Sequence, residues 1–298
     1  MKEIVVISGK GGTGKTSIAA CFAVLAREAV VVDCDVDAAD LHLLLTPRVV
    51  RRSEFRSGRE AVIRRESCTR CGICFDLCRF KAVAAPGPAD GDGSYAVDPA
   101  SCEGCGVCVR FCPAGAIDFP ERLSGVWMVS ETRCGPMVHA RLGTAAENSG
   151  KLVSTVRREA RRVAEETGRS LVIVDGPPGI GCPVIASLTG AALVVVVTEP
   201  TVSGEHDLER VLALARHFGI PAAVCVNKWD INPGMAGRIE ALALRAGAGL
   251  AGRIRYDVEV TRAQIECLTA VETGAPSAKD IAAVWENVTS YGGTNGID

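Results

Sequence analysis

The stretch that most constrains this chain is Gly9-Lys10-Gly11-Gly12-Thr13-Gly14-Lys15-Thr16, set between the apolar Ile4 to Ile7 and a helix-like Ser17 to Arg27. Strand, glycine loop and helix together make a phosphate cradle. Glycines let backbone N–H groups turn inward, and the helix N-terminus adds positive potential. Lys15 then reaches the β- and γ-phosphates and Thr16 offers its hydroxyl to Mg²⁺. The same residues hold the dinucleotide spacing GxGxxG at Gly9, Gly11 and Gly14, and Asp33 stands about where that motif's ribose acid belongs. The Gly-Lys-Thr ending decides for a nucleoside triphosphate, because a dinucleotide loop does not need it.

The next strand, Ala29 to Val32, ends in Asp33-Cys34-Asp35-Val36-Asp37, and the wholly apolar Leu171 to Val174 ends in Asp175-Gly176-Pro177-Pro178-Gly179. Acids at the C-terminal ends of parallel strands beside a phosphate loop hold metal-bound water or polarise an attacking one. Asp35 is the expected water-directing acid, with Asp33 or Asp37 in support; loop acids making Asx turns are the plain alternative. Asp175 is expected in the Mg²⁺ shell, and the glycines after it allow a γ-phosphate-sensing switch on which Cys182 falls. Two further strands, Leu193 to Val197 and Ala222 to Val226, end in Thr198-Glu199-Pro200 and Asn227-Lys228-Trp229-Asp230. Asn227 is the candidate for the adenine edge, against a plain turn role. Leu41, Leu43, Leu44 and Leu45 read as core. Helical spacing predicts Lys151 to Gly168, with Val153, Val156, Ala160, Val163 and Ala164 inward, and Asp207 to His217. Val260 opens the last helical region, and Ile281, Ala282, Val284, Trp285 and Val288 show helical spacing near the end. Val126 to Ser130 reads as a strand and Cys134 to His139 as a loop, with His139 either a proton carrier or a structural histidine.

Eight of the fourteen cysteines lie in one segment. Cys68, Cys71, Cys74 and Cys78 have the spacing CxxCxxCxxxC, and Cys102, Cys105, Cys108 and Cys112 repeat it, with Pro113 following. Three thiolates in a tight loop plus one remote thiolate suit the corners of a cubane iron–sulfur cluster. In the two-cluster ferredoxin arrangement the fourth cysteine of each run crosses over. One 4Fe-4S cluster then takes Cys68, Cys71, Cys74 and Cys112, the other Cys102, Cys105, Cys108 and Cys78. Zinc is the competitor, but a zinc ribbon does not need the third and fourth cysteines at these spacings. Arg79 stands where proline would follow Cys78. Pro86 to Gly93 reads as the loop joining two halves of an internal repeat.

From Arg48 to Arg70 arginine and serine prevail, which marks a junction between folded units; the arginines offer a docking face for an acidic partner or are simply solvated. A net charge of −2 gives no global drive toward nucleic acid or membrane. With no leader-like start and no apolar run of about 18 residues, and with cysteines that read as metal ligands, a cytoplasmic protein is expected.

The phosphate loop with its extra Lys10, the Asp33 to Asp37 acids and the Asp175-Gly-Pro-Pro-Gly turn resemble the MinD/Mrp/ParA class of deviant P-loop ATPases, specifically the subgroup with an inserted two-cluster ferredoxin domain. The resemblance implies an α/β fold, a P-loop NTPase with a mostly parallel sheet flanked by helices, over residues 1–58 and 120–298. A small α+β bacterial-type ferredoxin domain is expected at 59–119. It further implies an ATP-sandwich dimer, homodimeric or with a paralogue, in which Lys10 reaches the opposite subunit's phosphates, Lys15 and Thr16 bind phosphate and Mg²⁺, Asp35 directs water and Asp175 orders the metal shell. In the related nitrogenase iron protein a switch cysteine holds a bridging cluster, and Cys182 occupies a similar place, with Cys134 as a candidate second ligand. The paired CxxC of Mrp-type carriers is missing.

The expected function is Mg²⁺-dependent ATP hydrolysis coupled to electron transfer or cluster delivery to a partner metalloprotein. The alternative is a MinD/ParA-like positioning ATPase, and a third is an electron-transfer module with a vestigial nucleotide site. Lys279 is the only basic residue of the C-terminal helix, which argues against membrane attachment. Nucleic-acid binding is not expected.

Overall fold

The computed structural model describes residues 1–87, 93–143 and 150–291. The chain divides into two compact units. The larger comprises Met1–Ser53, Trp127–Arg141 and Asn148–Asp298, and the smaller Glu54–Val126 and Leu142–Glu147.

Four runs rich in valine and isoleucine, Lys2–Ser8, Ala29–Asp33, Leu171–Pro178 and Leu193–Thr198, form the middle of a nine-stranded sheet. Their interiors are fully buried. Strands covered on both faces have no reason to alternate polar and apolar residues, and fully burying each such side chain contributes about 1.5–3 kcal/mol. From one edge the order is Gly249–Ile254, Ala222–Asn227, Leu193–Thr198, Lys2–Ser8, Leu171–Pro178, Ala29–Asp33, Gly135–Leu142, Glu121–Thr132 and Arg48–Arg59. Pairings from Gly249–Ile254 across to Gly135–Leu142 are all parallel. The helices Lys15–Ala26, Lys151–Glu166, Val202–His217, Pro233–Arg245 and Ala278–Ser290 pack on it. In Lys151–Glu166 the buried face holds Val153, Val156, Ala160, Val163 and Ala164, as the spacing predicts. It also holds Arg157, whose buried guanidinium donates to Glu3 at 2.6 Å.

The junction expected in Arg48 to Arg70 is there, between Ser53 and Glu54, but it falls within a twelve-residue edge strand, Arg48–Arg59. Its half-buried positions Arg51, Ser53, Phe55 and Ser57 alternate with exposed ones, a period of two hidden because three of the four are polar while Val49 and Val50 are exposed. Several of its arginines already have partners: Arg51 lies over the Trp127 ring at 5.1 Å and bonds Glu159 at 3.0 Å, and Arg56 bonds Glu54 at 2.9 Å. Cys134 to His139 is not a loop, since Gly135–Leu142 is a strand. Leu43 is exposed, whereas Leu41, Leu44 and Leu45 are buried, because a single short helix turns only one side inward.

The main stretch of the smaller unit runs from Glu54 to Val126, wider than 59–119, and its two ends fall inside the strands Arg48–Arg59 and Glu121–Thr132. Within it the two cysteine runs adopt the same backbone. Each has a short helix, Ile73–Leu77 or Val107–Phe111, and the flanking segments form two antiparallel ladders, Val62–Ile63 with Ile117–Asp118 and Val83–Ala84 with Ala96–Val97. Left-handed residues recur at matching places, Arg70 and Gly104, Gly72 and Gly106, Lys81 and Gly115. At Gly104 a Cβ would lie 2.2 Å from the Arg59 carbonyl oxygen, so only glycine fits. The Pro86 to Gly93 loop lies in part outside the described residues.

Candidate functional sites

The sheet register builds the first site. Asp175 is paired with Asp33 on one side and with Val6 on the other, so both acids stand at the C-terminal ends of neighbouring strands, beside the loop that leaves Ser8. The helix Lys15–Ala26 starts after Gly14, which has φ 86° and leaves 2.5 Å between a notional Cβ and Asn227 Nδ2. No side chain is accommodated there.

Lys15 is buried beneath the loop. Its Nζ donates to Asp175 Oδ1 at 2.6 Å and to Thr16 Oγ1 at 3.3 Å, and lies 3.5 Å from Asp35 Oδ2. Burial pulls the ammonium pKa down, but Asp175 and then Asp35 outweigh it, and the net shift is upward. Asp35 is pushed up by burial and by Asp175, against the pull of Lys15. A carboxylate raised in this way is a better base for ordering water than an exposed one. Asp33 is pushed well above the usual carboxylate range by burial and by Asp175. Its two oxygens accept the backbone N–H groups of Asp35 and Leu41, so it holds the acidic loop and is closed to a ribose, which removes the dinucleotide reading. Asp37 is exposed.

Around one ammonium the site thus gathers three buried carboxyl groups, and Asp175 Oδ2 is fully buried without a hydrogen-bond partner. An orphaned hard oxygen beside a P-loop threonine fits a Mg²⁺ shell, with Thr16 and Asp175 as the residues that would hold it. The buried Thr13 Oγ1 is also unpaired. A cavity of about 520 Å³ runs over Gly11 to Ser17, Asp35 and Pro178. A second, of about 370 Å³, continues from Gly12 and Gly14 to Asn227, Tyr256 and Val260. The two cavities adjoin at Gly12 and Gly14. Asn227 lines the second cavity, but its Nδ2 also donates to the Thr13 carbonyl at 2.8 Å, so it braces the loop. The segment Arg255 to Thr261 was not singled out by sequence; its one signal is a short polar break after an apolar strand.

Lys10 sits apart from Lys15. Its Nζ donates to Ser203 Oγ at 3.0 Å and to Thr201 Oγ1 at 3.5 Å, and lies 3.8 Å from Glu199.

In the smaller unit, a small cavity of about 20 Å³ is lined by Cys68, Cys71, Cys74 and Cys112 together with Ile63, Tyr95 and Pro113. Cys108 is raised by burial and then by its neighbours Cys102 and Cys105. The Ala82 N–H donates to Cys78 Sγ and the Ala116 N–H to Cys112 Sγ, both at 3.3 Å, the same bond in each half of the repeat. Among the described residues no three His, Cys, Asp or Glu side chains converge closely enough for a single metal ion. A cubane makes a different demand, because each thiolate binds its own iron corner.

Cys182 is exposed at the start of the helix Cys182–Leu188. Cys134 is not its companion: it is buried in the core with Ala20, Val31, Leu41 and Met137, and burial pushes its thiol up. His139 is structural. It is buried, its Nε2 lies 2.8 Å from Ser130 Oγ, and burial lowers its pKa to about 4, so it stays neutral. No helix among the described residues is long and apolar enough to cross a membrane.

A family model described as the CobQ/CobB/MinD/ParA nucleotide binding domain matches residues 4–269. The uncharacterized protein MJ0578 of Methanocaldococcus jannaschii is 33% identical over 234 residues, 77% of this chain and 79% of the relative. Among solved structures, the septum site-determining protein MinD of Pyrococcus horikoshii OT3 complexed with Mg-ADP superposes with a TM-score of 0.59 at 16% identity, covering 100% of this chain and 99% of that one. The MinC:MinD cell division complex of Aquifex aeolicus gives 0.58 at 16% identity, covering 100% and 98%.

Proposed function

This chain belongs to the CobQ/CobB/MinD/ParA family of nucleotide-binding ATPases, and on that premise we propose that it is a MgATP-driven switch carrying two 4Fe-4S clusters, coupling nucleotide state to electron transfer or cluster delivery to a partner metalloprotein. The ATPase half follows from the family and from Lys15, Asp35 and Asp175 gathered under the phosphate loop. The iron–sulfur half is carried by one observation, the cavity that unites Cys68, Cys71 and Cys74 with Cys112 from the other run. Bound there and at Cys102, Cys105, Cys108 and Cys78, cubane clusters would supply one-electron chemistry.

In the working cycle Lys15 would bind the phosphates, Thr16 and Asp175 would hold Mg²⁺, which would neutralise phosphate charge, and Asp35 would orient the attacking water. Lys10 leaves Ser203 and crosses to the phosphates of a second copy or of a paralogue. Eight cysteines proposed as cluster ligands suit a reducing, cytoplasmic setting.

A second reading, a positioning ATPase with the cysteine unit as a structural or sensing element, is favoured by the cell-division proteins among its structural neighbours. The comparisons back it better than they back electron transfer. Iron analysis after anaerobic purification separates the two: about eight irons per chain, with assembly that changes on adding MgATP, supports the switch. A colourless or zinc-loaded protein leaves the positioning reading.

A further inference from the structure

We propose that the exposed surface of the first cysteine run, Arg70 to Lys81, docks an acidic electron-carrier protein. The choice of an electron carrier rests on the two-cluster reading above. The choice of surface and of charge rests on the repeat, whose two halves serve as each other's control. Residues 64–82 carry five basic and two acidic side chains, while the matching residues 98–116 carry one basic and two acidic. The difference is concentrated at particular places: Arg70 stands where the second half has Gly104, Arg79 where it has Pro113, and Lys81 where it has Gly115. Each of these departures adds a cation.

Two of them do so against the preference of the backbone. Arg70 and Lys81 have φ of 58° and 54°, beside 62° and 58° at Gly104 and Gly115. Glycine enters that region freely, whereas a Cβ crowds the neighbouring carbonyl there. Arg70, Arg79 and Lys81 are all exposed, and among the described residues none has an acid within ion-pair distance. Arg64, by contrast, bonds Asp118 and the Gly115 carbonyl within its own unit. Neither burial nor an internal ion pair accounts for the three cations, and an external anion does.

Apolar side chains are interleaved with these charges. Phe75, Leu77 and Phe80 are exposed, and the second half has Ala114 in place of Phe80. Aromatic and aliphatic groups among arginine and lysine have the composition of a protein-docking patch, in which apolar contact supplies affinity and charge supplies rate and orientation. A nucleic acid fits less well, because the matching run carries more acid than base and nothing extends the basic track along a phosphate chain. A compact acidic patch on a protein matches the short basic one. The segment includes Cys71, Cys74 and Cys78, so a carrier seated on it lies against proposed ligands of both clusters.

Calorimetric titration of the anaerobically purified full chain, its iron counted beforehand, with a plant-type 2Fe-2S ferredoxin as a small acidic carrier tests this. Saturable binding that weakens as salt is raised is expected. The triple variant Arg70→Gly, Arg79→Ala, Lys81→Gly should weaken binding roughly tenfold or more and flatten its salt dependence. It should not lower the melting temperature, since glycine suits two of the three positions. Arg110→Ala, which removes the one basic side chain of residues 98–116, should leave affinity and salt dependence as they are. No binding by the iron-loaded chain, an unchanged affinity in the triple variant, an equal loss in Arg110→Ala, or tighter binding of basic cytochrome c or of oligothymidylate than of the ferredoxin would overturn the proposal. So would self-association of the chain that the triple variant abolishes, since a second copy would then be the occupant. A chain that holds no iron would instead overturn the cluster reading, and with it the choice of an electron carrier.

Discussion

The Nζ of Lys15 lies 2.6 Å from Oδ1 of Asp175, so the lysine proposed to bind phosphate is the counter-ion of the acid proposed to hold Mg²⁺. On that reading, binding MgATP would exchange this pair for two new ones.

Lys15→Ala should abolish ATP turnover and leave iron content unchanged, since the cysteines lie in the other unit. It should also destabilise the free protein by about 3–5 kcal/mol, because three buried carboxyl groups lose their only nearby ammonium. The pKa values of Asp33 and Asp35 are raised in the folded state, so the fold binds protons the unfolded chain does not, and stability falls as pH rises above about 4 through those raised values. The variant's deficit should shrink from pH 8 to pH 5 in denaturant titrations. A pH-independent deficit would contradict the acid cluster.

Lys10→Ala should still bind MgATP but fail to dimerise on it, as read by light scattering. Its Nζ rests on Ser203 and Thr201, residues of its own chain, and contributes nothing to the Lys15 pocket. Dimerisation equal to the wild type would remove the crossing role.

His139 gives a separate acid signature. Its pKa is about 4 when folded against about 6.5 when unfolded, so the unfolded chain takes the proton first and stability is lost as pH falls between those values. The loss should be at most about 3 kcal/mol. His139→Gln, which retains a partner for Ser130, should flatten that limb of the thermal-melting profile.

The cysteine assignment predicts a pattern of iron loss. Cys68→Ser and Cys112→Ser should each lose the same cluster, about four irons, and the double variant no more than either alone. Cys68→Ser combined with Cys78→Ser should lose both. Additive loss from Cys68 and Cys112 would mean that the fourth ligands do not cross.

Much of the nucleotide site was legible because its signals are local. The Gly9 to Thr16 loop, and acids ending valine-rich strands, carry their meaning in consecutive residues. The same locality shows the repeat of cysteine spacings, and the structure adds that Arg70 and Lys81 take left-handed positions that Gly104 and Gly115 fill in the other half. What sequence could not give depends on neighbours far along the chain. The strand Arg48–Arg59 reads as polar because three of the four residues on its half-buried face are Arg51, Ser53 and Ser57, beside Phe55, with Arg51 packed on Trp127. Cys134 and His139 look chemically active in a sequence, and burial makes both inert. The cavity wall at Arg255 and Tyr256 is held by Asp280 and Asp230, each more than twenty residues away along the chain.

The central claim is that nucleotide state and iron–sulfur chemistry act on each other within one chain. Low-temperature EPR of the reduced protein, recorded with and without MgATP, tests it most directly. The account predicts signals of two interacting 4Fe-4S clusters whose line shape or potential shifts when MgATP binds, and a shift that Lys15→Ala abolishes. Identical spectra with and without nucleotide, together with ATP turnover indifferent to reduction, would contradict it.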